Sequence, residues 1–435
     1  MSGMDERSTP SLFDPATLVD PYPAYKTLRD TAPVYFEPSF GAWIVTRYDL
    51  VREALRDTAT YSSEFGDFLS EAQKIAFRSA PPEVQQKLIA LNKRMIPLPP
   101  TMLTLDEPGH TKYRSLVSQL FTGSQVKRGE PTVRRVIEAG IERLAAAATA
   151  QGEVQADFVA NFARRVPLRI IADRRGIPER ERAFFNEAAA AAADALRLTP
   201  LPPEEMVVRA RLAVDLQQLL VSLVDARRET PAEDMIGILA NAVLEEERRA
   251  LTHGEILSIL NQFLVAGHET TTSAFAWGML ILCRNPDLQA EIRGDTARIR
   301  TFVEETLRLE APVQGLPRLV TRQTELGGTP LEPGSLVMLR FGSANRDERE
   351  FEDPDAVNVH REKAGRQLAF GSGIHHCIGA PLARQELNLG WAALLDAFEG
   401  FRLEDGAEPE AEPSFILRNL PRLPVRYRPR VEATD

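Results

Sequence analysis

Apolar residues along this chain recur mostly at helical spacing, and residues 111–395 are mainly helix-forming. The exceptions are local. Trp43-Ile44-Val45-Thr46 reads as a strand, and Asp49 after it starts a helix with Val51 and Leu55 on one face. Between residues 65 and 104 the periodicity fails. Phe65, Phe68, Met95, Ile96, Leu98 and Met102 are scattered among prolines 81, 82, 97, 99 and 100. That composition predicts an irregular stretch of the kind that serves as a lid or ligand loop. Residues 188–195 form an alanine-rich helix, ended by Thr199-Pro200-Leu201-Pro202-Pro203, and a further helix runs from Glu204 onward. Thr- and Val-rich segments between 319 and 339, with Gly327-Gly328 and Pro333-Gly334, predict hairpins. With no internal repeat and no flexible linker, residues 1–435 are expected to form one mostly α unit with small β-rich parts near 30–50 and 319–340.

The most apolar stretch, residues 256–283, is interrupted by Asn261, Gln262, His268 and Glu269. It therefore lacks the run of about 20 uncharged residues that a membrane span needs, and reads as a helix buried inside the protein. Residues 1–10 are polar and charged, without the apolar core of a signal peptide or anchor. Apolar residues make up 43% of the chain and charged residues 26%, which is ordinary globular chemistry. A net charge of −10 disfavours nucleic acid and anionic lipid as partners of the whole surface. The two cysteines, Cys283 and Cys377, leave no disulfide framework and no all-cysteine metal site, which suits a reducing, cytoplasmic compartment.

The two cysteines differ in setting. Cys283 ends the apolar run Met279-Leu280-Ile281-Leu282 and is most simply core. Cys377 lies in Phe370-Gly371-Ser372-Gly373-Ile374-His375-His376-Cys377-Ile378-Gly379-Ala380-Pro381. Its glycines allow positive φ and close approach to a flat partner. Pro381 sits where a helix would begin, and Leu382 to Leu395 continues as a good helical run. Cys377 is thus placed just before a helix N-terminus, where free N–H groups stabilise a thiolate. Such a thiolate could be a nucleophile or a metal ligand. An inert buried cysteine would explain neither the glycines nor the neighbouring histidines.

The central helix carries Phe263-Leu264-Val265-Ala266-Gly267-His268-Glu269-Thr270-Thr271-Thr272. Glycine and three threonines weaken a helix, and threonine hydroxyls can bond back to carbonyls and bend it, so a local distortion is expected. A buried Glu269 carboxylate needs a partner.

The spacing Phe370-x-x-Gly373-x-His375-x-Cys377-x-Gly379 resembles the haem-binding signature of the cytochrome P-450 family. The resemblance extends in order along nearly the whole chain, from Trp43 to Phe415-Ile416-Leu417. It implies a mostly α triangular-prism fold with small sheets and one haem b per chain, lying between the central helix and the cysteine loop. Cys377 would be the axial ligand, flanked by Phe370, Gly371 and Gly379. Glu269 and Thr270 match the acid and alcohol of the family's oxygen-activation motif. His110 and Arg114, Arg318 and His375 match positions that bind the haem propionates, and arginine suits carboxylates through paired bonds. Glu305 and Arg308 resemble the Glu-x-x-Arg motif, with Arg361 as third partner. Val357 and Asn358 depart there from the common pattern. Phe263, Ala266, Val313, Leu316 and Ile416 are carried over as substrate contacts.

The implied reaction is insertion of one atom of O₂ into an apolar small molecule, most often as hydroxylation. No flavin, nicotinamide or iron–sulfur motif is present, so electrons would come from NAD(P)H through a separate ferredoxin and ferredoxin reductase. That donor would dock near the cysteine loop, helped by basic residues such as Lys112. A peroxide-driven enzyme, which would not need Glu269 and Thr270, and a non-catalytic haem sensor are the rival classes. Nothing in the sequence identifies the substrate.

Overall fold

The computed structural model describes residues 11–66, 74, 77–147, 152–194, 201–245 and 247–430. Residues 1–10, Phe68, Ala195, Thr199 and Pro200, on which parts of the sequence reading fall, lie outside the described residues. The chain forms two compact units: Met1–Tyr61 with Gly129–Pro167 and Thr270–Asp435, and Ser62–Arg128 with Leu168–Glu269.

In the first unit, the strand expected at Trp43 runs Ala42–Val45 and pairs antiparallel with Val34–Glu37. It also pairs in parallel with Leu336–Arg340, which in turn runs antiparallel to Gly315–Val320. Between the last two strands the small hairpin Thr324–Leu326/Thr329–Leu331 turns at Gly327 and Gly328, both at positive φ. The helix expected near Asp49 spans Tyr48–Arg56 and buries Leu50, Val51, Ala54 and Leu55 against this sheet's core cluster. A second sheet, not anticipated, joins Val154–Asp157, Pro424–Pro429 and Phe398–Leu403. Its strands are short and far apart in sequence, so no local turn signal announces their pairing.

The helix after the cysteine loop spans Ala380–Ala397, with Pro381 in its first turn. Its Trp391 is fully buried among Phe158, Phe275 and Phe302. Two glycines let this helix approach the C-terminal part of the His253–Arg284 helix. A Cβ at Gly278 would fall 2.5 Å from the Trp391 ring, and one at Gly390 would fall 2.6 Å from Phe275.

Beneath the cysteine loop lies a buried ion network. On the Arg298–Leu309 helix, Arg308 Nε donates to Glu305 Oε1 at 2.7 Å and Nη2 to Oε2 at 2.9 Å, both side chains fully buried. Arg361 Nε donates to the same carboxylate at 3.0 Å, as expected of the third partner. The departure at Asn358 is harmless because that residue contributes its main-chain N–H, 2.9 Å from Glu305 Oε2. Arg308 also donates to the carbonyls of Asn345, Pro354 and Ala356. The Asn345 side chain then accepts the N–H of Leu368 at 2.6 Å, two residues before Phe370. A pair that is usually exposed and weak is here a desolvated clamp on main chain.

In the second unit, the stretch 65–104 is less irregular than its prolines suggested. Pro82 opens a helix, Pro82–Asn92, because a proline in the first turn removes only an N–H that has no helical partner. This helix lies against Pro203–Glu229, and Gln217 holds Ile96 through both its main-chain N–H, at 2.8 Å, and its carbonyl, at 3.2 Å. Among the described residues no helix is long and apolar enough to cross a membrane.

Removing the Glu305 carboxylate strands two guanidiniums away from water. Glu305→Ala is expected to lower unfolding stability by about 3–5 kcal/mol, read from the urea midpoint. An unchanged midpoint would mean that the network holds nothing together.

Candidate active site

The cysteine loop is shaped by main-chain bonds. Gly371 and Gly373 take φ of +68° and +74°, and the Gly371 N–H donates to Leu368 O at 2.8 Å. Cys377 N–H donates back to Phe370 O at 2.9 Å, closing the loop across seven residues. A Cβ on Gly373 would meet Leu55 O at 2.5 Å, whereas one on Gly371 would find no atom within 4 Å. One glycine is therefore required by close backbone contact, and the other stands beside open space. The sulfur of Cys377 lies 3.9 Å from where a Gly379 Cβ would sit, at the N-cap of the Ala380–Ala397 helix. Cys377 is partly exposed. The Arg384 guanidinium covers the Phe370 ring at 4.5 Å and is fixed by Glu304 through bonds of 2.6 and 3.1 Å.

Cys283 behaves as the sequence suggested. It is 9% exposed, and burial pushes its thiol up to about 12.

Also in the first unit, Arg318 is buried on the Gly315–Val320 strand, with Nη1 donating to Pro317 O at 2.7 Å. His375 is half-buried in the cysteine loop. Val313 and Ile416 lie on paired segments: Val313 bridges Leu417, and Gln314 N–H donates to Ile416 O at 2.7 Å; Leu316 follows on the Gly315–Val320 strand. Just beyond, the Arg418 carbonyl accepts from Ser273 and from Trp277 Nε1, the latter at 2.9 Å, which ties this segment to the central helix.

The second unit carries the remaining expected residues. The helix Gly109–Ser118 presents His110, 2% exposed, with Nδ1 3.3 Å from Glu107 Oε1. Burial lowers its basicity, opposed by Glu107. Arg114 stands one turn on, on the same face. Lys112 does not stand free for a docking partner: it is ion-paired with Glu247 and lies over the Tyr113 ring. Tyr113 OH donates to Glu255 at 2.7 Å, and Arg249 grips the same carboxylate at 2.8 and 2.9 Å. Those bonds, Arg249 first, hold Glu255 far below the usual carboxylate range.

The His253–Arg284 helix runs without a break through Gly267 and the three threonines, so the expected distortion does not interrupt it. Gly267 has a packing reason, since Ile171 lies 3.1 Å from where its Cβ would be. Phe263 is buried and stacks on Phe121 with centroids 5.2 Å apart, while Ala266 is exposed. Glu269 is less buried than expected, its side chain 13% exposed, and its Oε2 lies 3.6 Å from His268 Nε2. His268 was not singled out from the sequence. The available signal was a histidine next to an acid inside an apolar helix. Arg384 and Asn345 were also missed, because each acts through partners 80 and 23 residues away.

The chemistry of these donors suits a flat, iron-bearing dianion. One sulfur stands at a helix start beside an open glycine, and basic side chains for carboxylates are present in each unit. A family model for cytochrome P-450 matches residues 89–425. Cytochrome P-450 107B1 of Saccharopolyspora erythraea is 32% identical over 95% of this chain and 96% of its own length. The 6-deoxyerythronolide B hydroxylase of the same organism is 31% identical over 96% and 99%. Among solved structures, cytochrome P-450 CYP109Q5 from Chondromyces apiculatus superposes with a TM-score of 0.81 at 28% identity, covering 96% of this chain and 98% of that one. The chain belongs to the cytochrome P-450 family, has its fold, and is a monooxygenase-type oxidoreductase; the family implies a haem-iron cofactor, a small-molecule substrate and redox partners.

The two thiols give a direct check. In Cys377→Ser protein, Cys283 is the remaining thiol, and folded protein at pH 8 should react with iodoacetamide about a thousandfold more slowly than urea-unfolded protein. The sign follows from a thiol whose ionisation is disfavoured by burial. Equal rates would show that Cys283 is accessible.

Proposed function

We propose that residues 1–435 act as one haem-thiolate monooxygenase domain that would hold a single haem b through the Cys377 sulfur. The observation that carries this is the closed loop from Phe370 to Cys377, which sets the sulfur over Gly379 at the start of an 18-residue helix. Helix-start N–H groups favour the thiolate over the thiol. Phe370, Gly371 and Gly379 would flank the haem, and a Cβ on Gly371 would find no atom within 4 Å. His110, Arg114, Arg318 and His375 would hold the propionates by charge-assisted hydrogen bonds. A carboxylate beside His110 would offset the burial that lowers its basicity.

When bound, the haem supplies the activation of O₂ and the oxidising power. The protein's part is to exclude water, orient substrate and deliver protons. Thr270 offers a hydroxyl that can donate and accept, and Glu269 offers a carboxyl with some access to solvent. Phe263, Ala266, Val313, Leu316 and Ile416 contact an apolar substrate, which is hydroxylated. The pairing of Val313 and Gln314 with the 416–417 segment supports placing Val313 and Ile416 together.

Electrons come from NAD(P)H through a separate ferredoxin and its reductase, in the cytoplasm. The donor docks at the cleft of about 820 Å³ beside the cysteine loop, which is lined by Pro381, by Arg300, Arg361 and Arg384, and by Glu304 and Glu362.

Two experiments test this reading. The reduced carbonyl complex of the purified protein should show the strongly red-shifted Soret band of thiolate ligation, and Cys377→His should abolish that band. A native protein without it defeats the proposal. Thr270→Ala should keep the band yet lower product formed per NAD(P)H by about tenfold or more, with peroxide rising. Unchanged product formation with peroxide as sole oxidant would favour the peroxide-driven alternative.

A further inference from the structure

The Gly109–Ser118 helix carries both His110 and Arg114, and it is fastened from between them. Tyr113 OH donates to Glu255 Oε1 at 2.7 Å, and the adjacent Lys112 is ion-paired with Glu247. Glu255 stands in the first turn of the His253–Arg284 helix and is 4% exposed. There it completes a capping box with Thr252. Its Oε2 accepts the Thr252 N–H at 2.8 Å, and its own N–H points to Thr252 Oγ1 at 3.3 Å. A cap of this kind uses one side-chain oxygen, and a glutamine would serve it equally. Here the second oxygen is engaged as well. Arg249 binds the carboxylate through Nη1 to Oε2 at 2.8 Å and Nη2 to Oε1 at 2.9 Å. Arg249 Nε also donates to Glu247 Oε2 at 2.6 Å. Lys112, Glu247, Arg249, Glu255 and Tyr113 therefore form a closed circuit, completed by the Lys112 ammonium 5.1 Å from the Tyr113 ring centroid. Both ties on the helix end in this one circuit, and its most buried charge is Glu255.

We infer that Glu255 is a positioning residue for haem retention, acting through Tyr113 on the helix that carries His110 and Arg114. The inference rests on the proposed role of those two side chains as propionate donors. Charge-assisted bonds to a carboxylate are strong only at short range and good alignment. Donors on a helix keep that alignment only while the helix itself stays in place. Tyr113 lies three residues after His110 and one before Arg114, so a shift at Tyr113 displaces both donors together. Glu255 is the fixed point, because its cap and its paired bonds to Arg249 hold the carboxylate independently of Tyr113. Neither Glu255 nor Tyr113 needs to touch the haem.

The decisive variant is Tyr113→Phe, which keeps the aromatic packing, the capping box and the Arg249 bonds and removes one hydroxyl. In haem-loaded protein, transfer of haem to an excess of haem-free globin is expected to be about tenfold faster than in the native chain. The iron midpoint potential is expected to fall, because propionate charge that is less well neutralised favours the ferric state. A merely structural tyrosine would leave that potential unchanged. Glu255→Gln, which keeps an acceptor for the cap and for Tyr113, should release haem more slowly than Glu255→Ala. Adding Tyr113→Phe to Glu255→Ala should change little further, since both remove the same bond. A folded Tyr113→Phe protein with native haem release and native potential overturns the inference, and so do additive effects of the two substitutions. Should Glu255→Ala not fold, Tyr113→Phe decides alone. His110→Ala and Arg114→Ala separate this failure from that of the reading beneath it. Fast release in them beside a native Tyr113→Phe removes only the role of Glu255, whereas native release in both removes the propionate role and the inference with it.

Discussion

The buried carboxylate of Glu305 is the constraint on which the cysteine side of the molecule depends. It accepts from two guanidiniums and one main-chain N–H, and neither it nor Arg308 touches water. Burial alone pushes the Arg308 guanidinium towards losing its charge, and Glu305 opposes that shift. Such a site is favourable only when every donor and acceptor is met. Arg308 meets the condition by collecting three carbonyls from the chain between 345 and 356. The irregular chain that leads to the cysteine loop is thereby fixed without forming regular structure of its own.

From that clamp the order passes to Cys377 by short steps. Asn345 receives Leu368, Gly371 turns back on Leu368, and Cys377 closes on Phe370. On the other side of the sulfur, the Ala380–Ala397 helix is locked by Trp391 against aromatic rings and two facing glycines. A sulfur between two rigid supports keeps its position whatever reacts with it. A ligand needs that property and an ordinary surface thiol lacks it. Cys283, by contrast, is held only by apolar burial, which suppresses its chemistry.

The residues of the central helix obey a different logic. The central helix tolerates Gly267 because Ile171 fills the space that a larger residue would need. His268 places one ring nitrogen 2.8 Å from the Leu264 carbonyl oxygen and the other 3.6 Å from Glu269. Polar groups of this helix find partners both one turn away and in distant segments, as Ser273 does at the Arg418 carbonyl, and the helix stays continuous.

The family was legible in the sequence, since its signature is written in consecutive residues whose types are dictated by local chemistry. The strand at 42–45 and the helices after Asp49 and Pro381 were legible for the same reason: periodicity, caps and prolines act over one or two turns. The Pro82 helix was misread because a proline breaks or begins a helix according to what precedes it, and tertiary context decided which. The second sheet, the roles of Asn345 and Arg384 and the pairing of Lys112 with Glu247 were invisible. Each joins residues tens to hundreds of positions apart, and a hydrogen bond leaves no trace in the spacing of residues so distant. For Cys377 the sequence determined its place just before a helix start. Only the tertiary structure decided how firmly it is held, because that firmness comes from a carboxylate buried 72 positions before it in the chain.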